Sequence, residues 1–185
     1  MTIPGFRLQM RRLPPFREIV PVYAVIVSFI YGWTLIRYFW QVPSWLFYLQ
    51  SGDLLAILSY ALSVDLTESL FALAALLLGA IVLPRAWLAD AFVTRGTIAS
   101  AVVLAYAIWL ASEFVTRKPS DYPAGIIRLA PVVLVSAVVA AFVAGKVGAI
   151  RNLVEGLADR ATIFLYLSVP LSVASVIAVT ARNLW

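Results

Sequence analysis

Five stretches of roughly twenty residues, about 19–40, 66–83, 96–115, 125–145 and 161–181, are strongly apolar and carry at most one charged residue each. A helix rises about 1.5 Å per residue and the hydrocarbon core of a bilayer is about 30 Å thick, so each stretch is long enough to cross. Inside hydrocarbon only helices and closed barrels satisfy their own backbone, and runs that are apolar all round rather than alternating select helices. The expected fold is therefore an all-α membrane protein, a polytopic bundle of five transmembrane helices with short interfacial helices. Residues 1–18 are expected to form a basic cytoplasmic arm and 19–185 a single transmembrane domain. Of the 185 residues, 63% are hydrophobic and 12% charged, far from the balance of a soluble or disordered chain. What lies between the runs leaves no room for an extramembrane domain of ordinary size.

The absence of His and Cys narrows the chemistry. It removes the common ligands of zinc, haem, copper and iron–sulfur clusters, so no metal and no cofactor is expected. Ser-His and Cys-His nucleophilic catalysis and disulfides go with it. The two lysines, Lys118 and Lys146, fall at loop or interface positions, which argues against a Schiff base buried in mid-membrane. The net charge of +5 reads as an orientation signal and a contact for anionic lipid, not as nucleic-acid binding. The arm concentrates that charge in Arg7, Arg11, Arg12 and Arg17, interleaved with Phe6, Leu8, Met10, Leu13 and Phe16. It reads as a segment lying on the inner leaflet. A cleaved signal is disfavoured, because the apolar run is too long and Arg37-Tyr38-Phe39-Trp40 lacks small residues.

Residues 43–64 are ambiguous. Pro43–Leu49 suggests a short interfacial helix, Ser51-Gly52-Asp53 a break, and Leu54–Val64 a second helix of about 16 Å, too short to span. The expectation is an interfacial or re-entrant segment on the outer side; the rival is a sixth span from Trp45 to Val64. Asp65 and Glu68 have the spacing of a helix-capping pair opening the next span. Trp87, Leu88, Ala91 and Phe92 suggest an interfacial helix between Arg85 and Arg95, and 146–160 an amphipathic extension with Arg151 and Glu155 paired.

With five spans and the N-terminus inside, the basic residues divide nine inside to five outside; six spans divide them eight to six. The positive-inside bias favours five spans, with the N-terminus cytoplasmic and the C-terminus outside; for a prokaryotic chain the membrane is the plasma (inner) membrane.

Two features could carry function. Small residues recur four apart in the fourth span, as Ser136, Ala140, Ala144 and Gly148 and as Ala137, Ala141, Gly145 and Ala149. Such rows let helices approach closely in lipid, within the chain or against a membrane-protein partner or a second copy. The second feature is a cluster of ionisable residues toward the outer side: Arg37, Asp65, Glu68, Glu113 and Arg128, with Arg128 expected to pair with one of the carboxylates. The first functional reading is a non-catalytic accessory or scaffold subunit packing through its small-residue faces. The alternative is a transport component that binds a solute or lipid headgroup at the outer cluster. An enzyme is the least supported reading: no catalytic residue is identifiable, and the Gly-x-Gly-Asp motif of intramembrane aspartyl proteolysis is absent.

Overall fold

The computed structural model describes residues 13–84, 87, 88, 90–116 and 124–184; the side chains of 114–116 and 124–127 lie outside that description. Most of the basic arm, residues 1–12, and the hinge 117–123 therefore lie outside the described residues. Among those described there are five helices and no strand: α1 Phe16–Trp45, α2 Ser51–Val82, α3 Phe92–Thr116, α4 Ala124–Lys146 and α5 Gly148–Leu184. All five contain a stretch long and apolar enough to cross a membrane. The chain is an all-helical bundle of multi-pass membrane type.

Three helices overrun the hydrocarbon core by several turns: with 30, 32 and 37 residues, α1, α2 and α5 are about 45, 48 and 55 Å long. For α5 this matches the amphipathic extension, which joins the last apolar run without a break. For α2 it corrects the sequence reading. Leu54–Val64 is not a separate helix but the first turns of α2, and the backbone runs unbroken through Asp65. No Gly or Pro lies between Asp53 and Gly79, so nothing interrupts the helix once begun. The N-terminal capping role belongs to Asp53, whose Oδ2 accepts the Gln50 backbone N–H at 3.3 Å. Nor does Pro43–Leu49 form its own helix: α1 continues through Pro43 to Trp45, and a turn leads to Ser51. The expected helix around 85–95 is also absent from its described part. Ala91 adopts a left-handed φ of 57°, and α3 begins at Phe92. This corner drives Leu88 and Phe92 into the core, where both are buried.

The central helix is α1. It packs against α2, α3 and α5, and its Val22, Ile26, Val27, Ile30 and Tyr31 form the core with Leu62 and Ala80 of α2. The small-residue rows of the fourth apolar run point to close packing along that helix. In the structure α4 packs chiefly on α3, lightly on α5, and turns most of its surface outward. Its small residues serve that one contact: Ala137, Ala141 and Ala144 are buried, while Ser136 is exposed. Close approach is enforced elsewhere by Gly96 of α3. A Cβ there would sit 3.3 Å from Val22 of α1 and 3.4 Å from Leu76 of α2.

Many polar side chains find their partners inside the bundle, as hydrocarbon favours. Ser59, Ser63 and Thr67 donate back to carbonyls one turn earlier on α2 at 2.8–3.1 Å. Others tie helices together. Ser172 of α5 donates to the Ser168 carbonyl, so in its bond with Tyr31 of α1 the tyrosine hydroxyl is the donor. Near the start of α5, Glu155 accepts from Thr94 of α3 and from Arg151, both at 2.9 Å, which realises the expected Arg151–Glu155 pair.

Candidate functional site

α2 and α3 barely touch, although both pack on α1. The result is a furrow with α1 as its floor. Toward the end of the bundle where α2 begins, the furrow widens into a cavity of about 660 Å³. Its α2 wall consists of Tyr60, Ala61, Val64, Asp65, Glu68 and Ala72, spaced as one helical face; Trp33 and Thr34 come from α1, and Ala107 and Ala111 from α3. The small alanines of α3 are what keep the opening wide.

Asp65 is the unusual residue here. Its side chain is only 3% exposed. Oδ1 accepts a hydrogen bond from the Thr34 hydroxyl at 2.7 Å, and Oδ2 has no hydrogen-bond partner among the described residues. A buried carboxylate oxygen without a donor is costly, and Asp65 carries it in the wall of the cavity. Glu68, one turn further along α2, is exposed and lines the same cavity. Tyr60 stands at the other end of the wall and donates to Asn183 of α5 at 2.7 Å, which fixes its ring. Two further rungs, Tyr38 to the Leu54 carbonyl at 3.0 Å and Tyr23 to Ser69 at 3.2 Å, hold α1 and α2 in register on either side of the Thr34–Asp65 bond.

The five ionisable residues singled out in the sequence do not form one cluster. The structure brings Asp65 and Glu68 together. Arg37 lies one turn beyond Trp33 on α1, its guanidinium 5.6 Å from the centre of the Trp33 ring, at the rim rather than in the cavity. Glu113 follows the last cavity residue of α3, Ala111, by two positions. Arg128 is exposed on α4, which contributes nothing to the cavity. Of the pairings expected for it, with Glu113 or else with Asp65 or Glu68, those with Asp65 and Glu68 are not formed, because α4 meets the furrow only further down, at Leu134, Ala137 and Val138. Thr34 and Trp33 were missed. Their only signal in the sequence is the i, i+1, i+4 grouping of Trp33, Thr34 and Arg37, which puts them on the same face as a charge already singled out.

The remaining donor sets offer little for a metal. Among the described residues no three Asp or Glu converge. Comparison with protein-family models, curated proteins and solved structures finds no match for the chain.

Proposed function

We propose that this protein is a membrane-embedded binding component whose ligand places a cationic, hydrogen-bond-donating group against Asp65. The orphaned Oδ2 of Asp65, buried in the wall of a roomy cavity that the residue lines, carries the reading. Two carboxylates face the space and one guanidinium stands at its rim, so the local field favours a cation. The missing partner of Oδ2 is a donor, which a protonated amine supplies and a quaternary ammonium does not. Tyr60 and Trp33 provide the apolar walls common to small-molecule sites. The small-residue rows behind the scaffold reading are partly used inside the chain, where Ala137, Ala141 and Ala144 are buried, while Ser136, Gly148 and Ala149 are exposed.

An odd number of crossings puts the two termini on opposite faces. With the nine-to-five division of basic residues, the N-terminus is cytoplasmic, the C-terminus is outside, and the cavity lies toward the outer face. The arm 1–18 contacts anionic lipid of the inner leaflet in the same scheme.

The test uses the full chain in maltoside micelles and primary alkylamines of two lengths, butylamine and dodecylamine, with binding read by native mass spectrometry and calorimetry. Asp65→Asn keeps the size of the side chain and an acceptor for Thr34, removes the charge and puts an NH2 donor in place of the second carboxylate oxygen. A charge-assisted bond is worth about 1.5–3 kcal/mol, so affinity should fall about 10- to 100-fold. Binding of both amines that is indifferent to Asp65→Asn, or no binding of either, rejects the proposal.

A further inference from the structure

The acidic cavity is not closed at its lower end. Ala72 of α2 and Leu104 of α3 line it, and the same two residues line a second cavity of about 270 Å³ that continues down the furrow. The character changes there. Ala75 and Gly79 of α2, Ala99 of α3 and Ala137 of α4 surround the lower cavity with small apolar groups, and its only other polar contribution is Ser100, whose hydroxyl is turned back to the Gly96 and Thr97 carbonyls. From Asp65 to Leu83 the furrow extends about 27 Å along α2, close to the thickness of the hydrocarbon core.

We infer that the occupant is an amphiphile with a primary amine head and an alkyl or acyl chain, its ammonium on Asp65 and Glu68 and its chain laid along the lower furrow between α2, α3 and α4. The inference rests on the amine reading above and extends it from a headgroup to a lipid class. An apolar groove open to a bilayer gains little by choosing one chain over another, since lipid tails are as apolar as the side chains that line it. A chain fills such a groove as a matter of course. What selects the molecule is the head at the acidic end, where Oδ2 of Asp65 accepts an ammonium N–H and Glu68 supplies the second carboxylate. Continuity of the two cavities joins selection at one end to accommodation at the other.

Gly79 gives a way to block the chain without touching the head. A Cβ there meets nothing nearer than Leu83 at 4.0 Å, so Gly79→Leu can be accommodated by extending into the furrow. The experiment measures retention of dodecylamine, dodecanol, dodecyltrimethylammonium and butylamine by native mass spectrometry of the full chain, wild type and Gly79→Leu, with circular dichroism confirming the fold. Dodecylamine is expected to be retained at least about 10-fold over dodecanol and dodecyltrimethylammonium. Gly79→Leu should weaken dodecylamine about 10-fold and leave butylamine unchanged. Equal retention of all three long-chain probes means that the head is not selected and overturns the inference. Dodecylamine binding no tighter than butylamine, or unmoved by Gly79→Leu, removes the chain groove while leaving Asp65-dependent amine recognition standing. A dimer that Gly79→Leu converts to monomer would show that the furrow receives a helix of a second copy, and that also overturns it.

Discussion

The hydrogen bond from Thr34 to Asp65 can be isolated from everything else around the cavity. Thr34→Val keeps the shape of the side chain and removes the hydroxyl, leaving Asp65 buried with no donor on either oxygen. Asp65→Leu removes the carboxylate but leaves the Thr34 hydroxyl free to turn back to its own helix, as Ser28 does to the Ala24 carbonyl at 2.7 Å. The two single changes are therefore unequal, and Thr34→Val should cost more than its own lost bond. Interhelical hydrogen bonds in membranes average about 0.6 kcal/mol, with a maximum near 1.7. A 2.7 Å bond to a buried carboxylate belongs at the upper end. The double-mutant cycle should give a coupling of about 1–2 kcal/mol, with the double variant more stable than the sum of the single losses predicts. Unfolding by sodium dodecyl sulfate in mixed micelles, followed by circular dichroism, gives the four free energies. A coupling below about 0.3 kcal/mol is within ordinary additivity, and would mean that Thr34 and Asp65 do not meet.

Three further outcomes follow from the packing. Ala141→Leu should destabilise by about 1–3 kcal/mol through overpacking at the α3–α4 contact, whereas Ser136→Leu, on the exposed face of the same helix, should be close to neutral in the same unfolding assay. Tyr31→Phe removes the donor to Ser172 at the α1–α5 contact and should cost about 0.5–1.5 kcal/mol; an unchanged free energy would place the tyrosine hydroxyl elsewhere. A reporter fused after Trp185 should be active only on the outer side of the membrane, and a cytoplasmic signal there would contradict five crossings that start from a cytoplasmic N-terminus.

The number of spanning helices and the all-α class were legible in the chain because they follow from length and hydropathy alone: a run of twenty apolar residues has one stable conformation in lipid. Helix ends were less legible. Asp65 and Glu68 carry the spacing of an N-terminal cap, but the same i, i+3 spacing occurs within any helix, and local sequence cannot say whether a carboxylate turns to its own backbone or to a neighbour. Tertiary contact decided it, since Thr34 lies across from Asp65 and takes the role that a backbone N–H would have filled. The site was half legible for the same reason. Charges near apolar runs could be recognised one by one, and Asp65 and Glu68, one turn apart on a single helix, were bound to share a face. Whether Arg37, Glu113 and Arg128 joined them depended on which helices became neighbours. Small-residue rows show that helices approach closely without naming the partner. With α4 reaching the furrow only at its lower end, Arg128 was kept from Asp65 and Glu68, and with α2 held away from α3 the furrow was left open. Hydrophobicity along a chain records what must leave water; which faces then meet is a property of shapes packed in three dimensions.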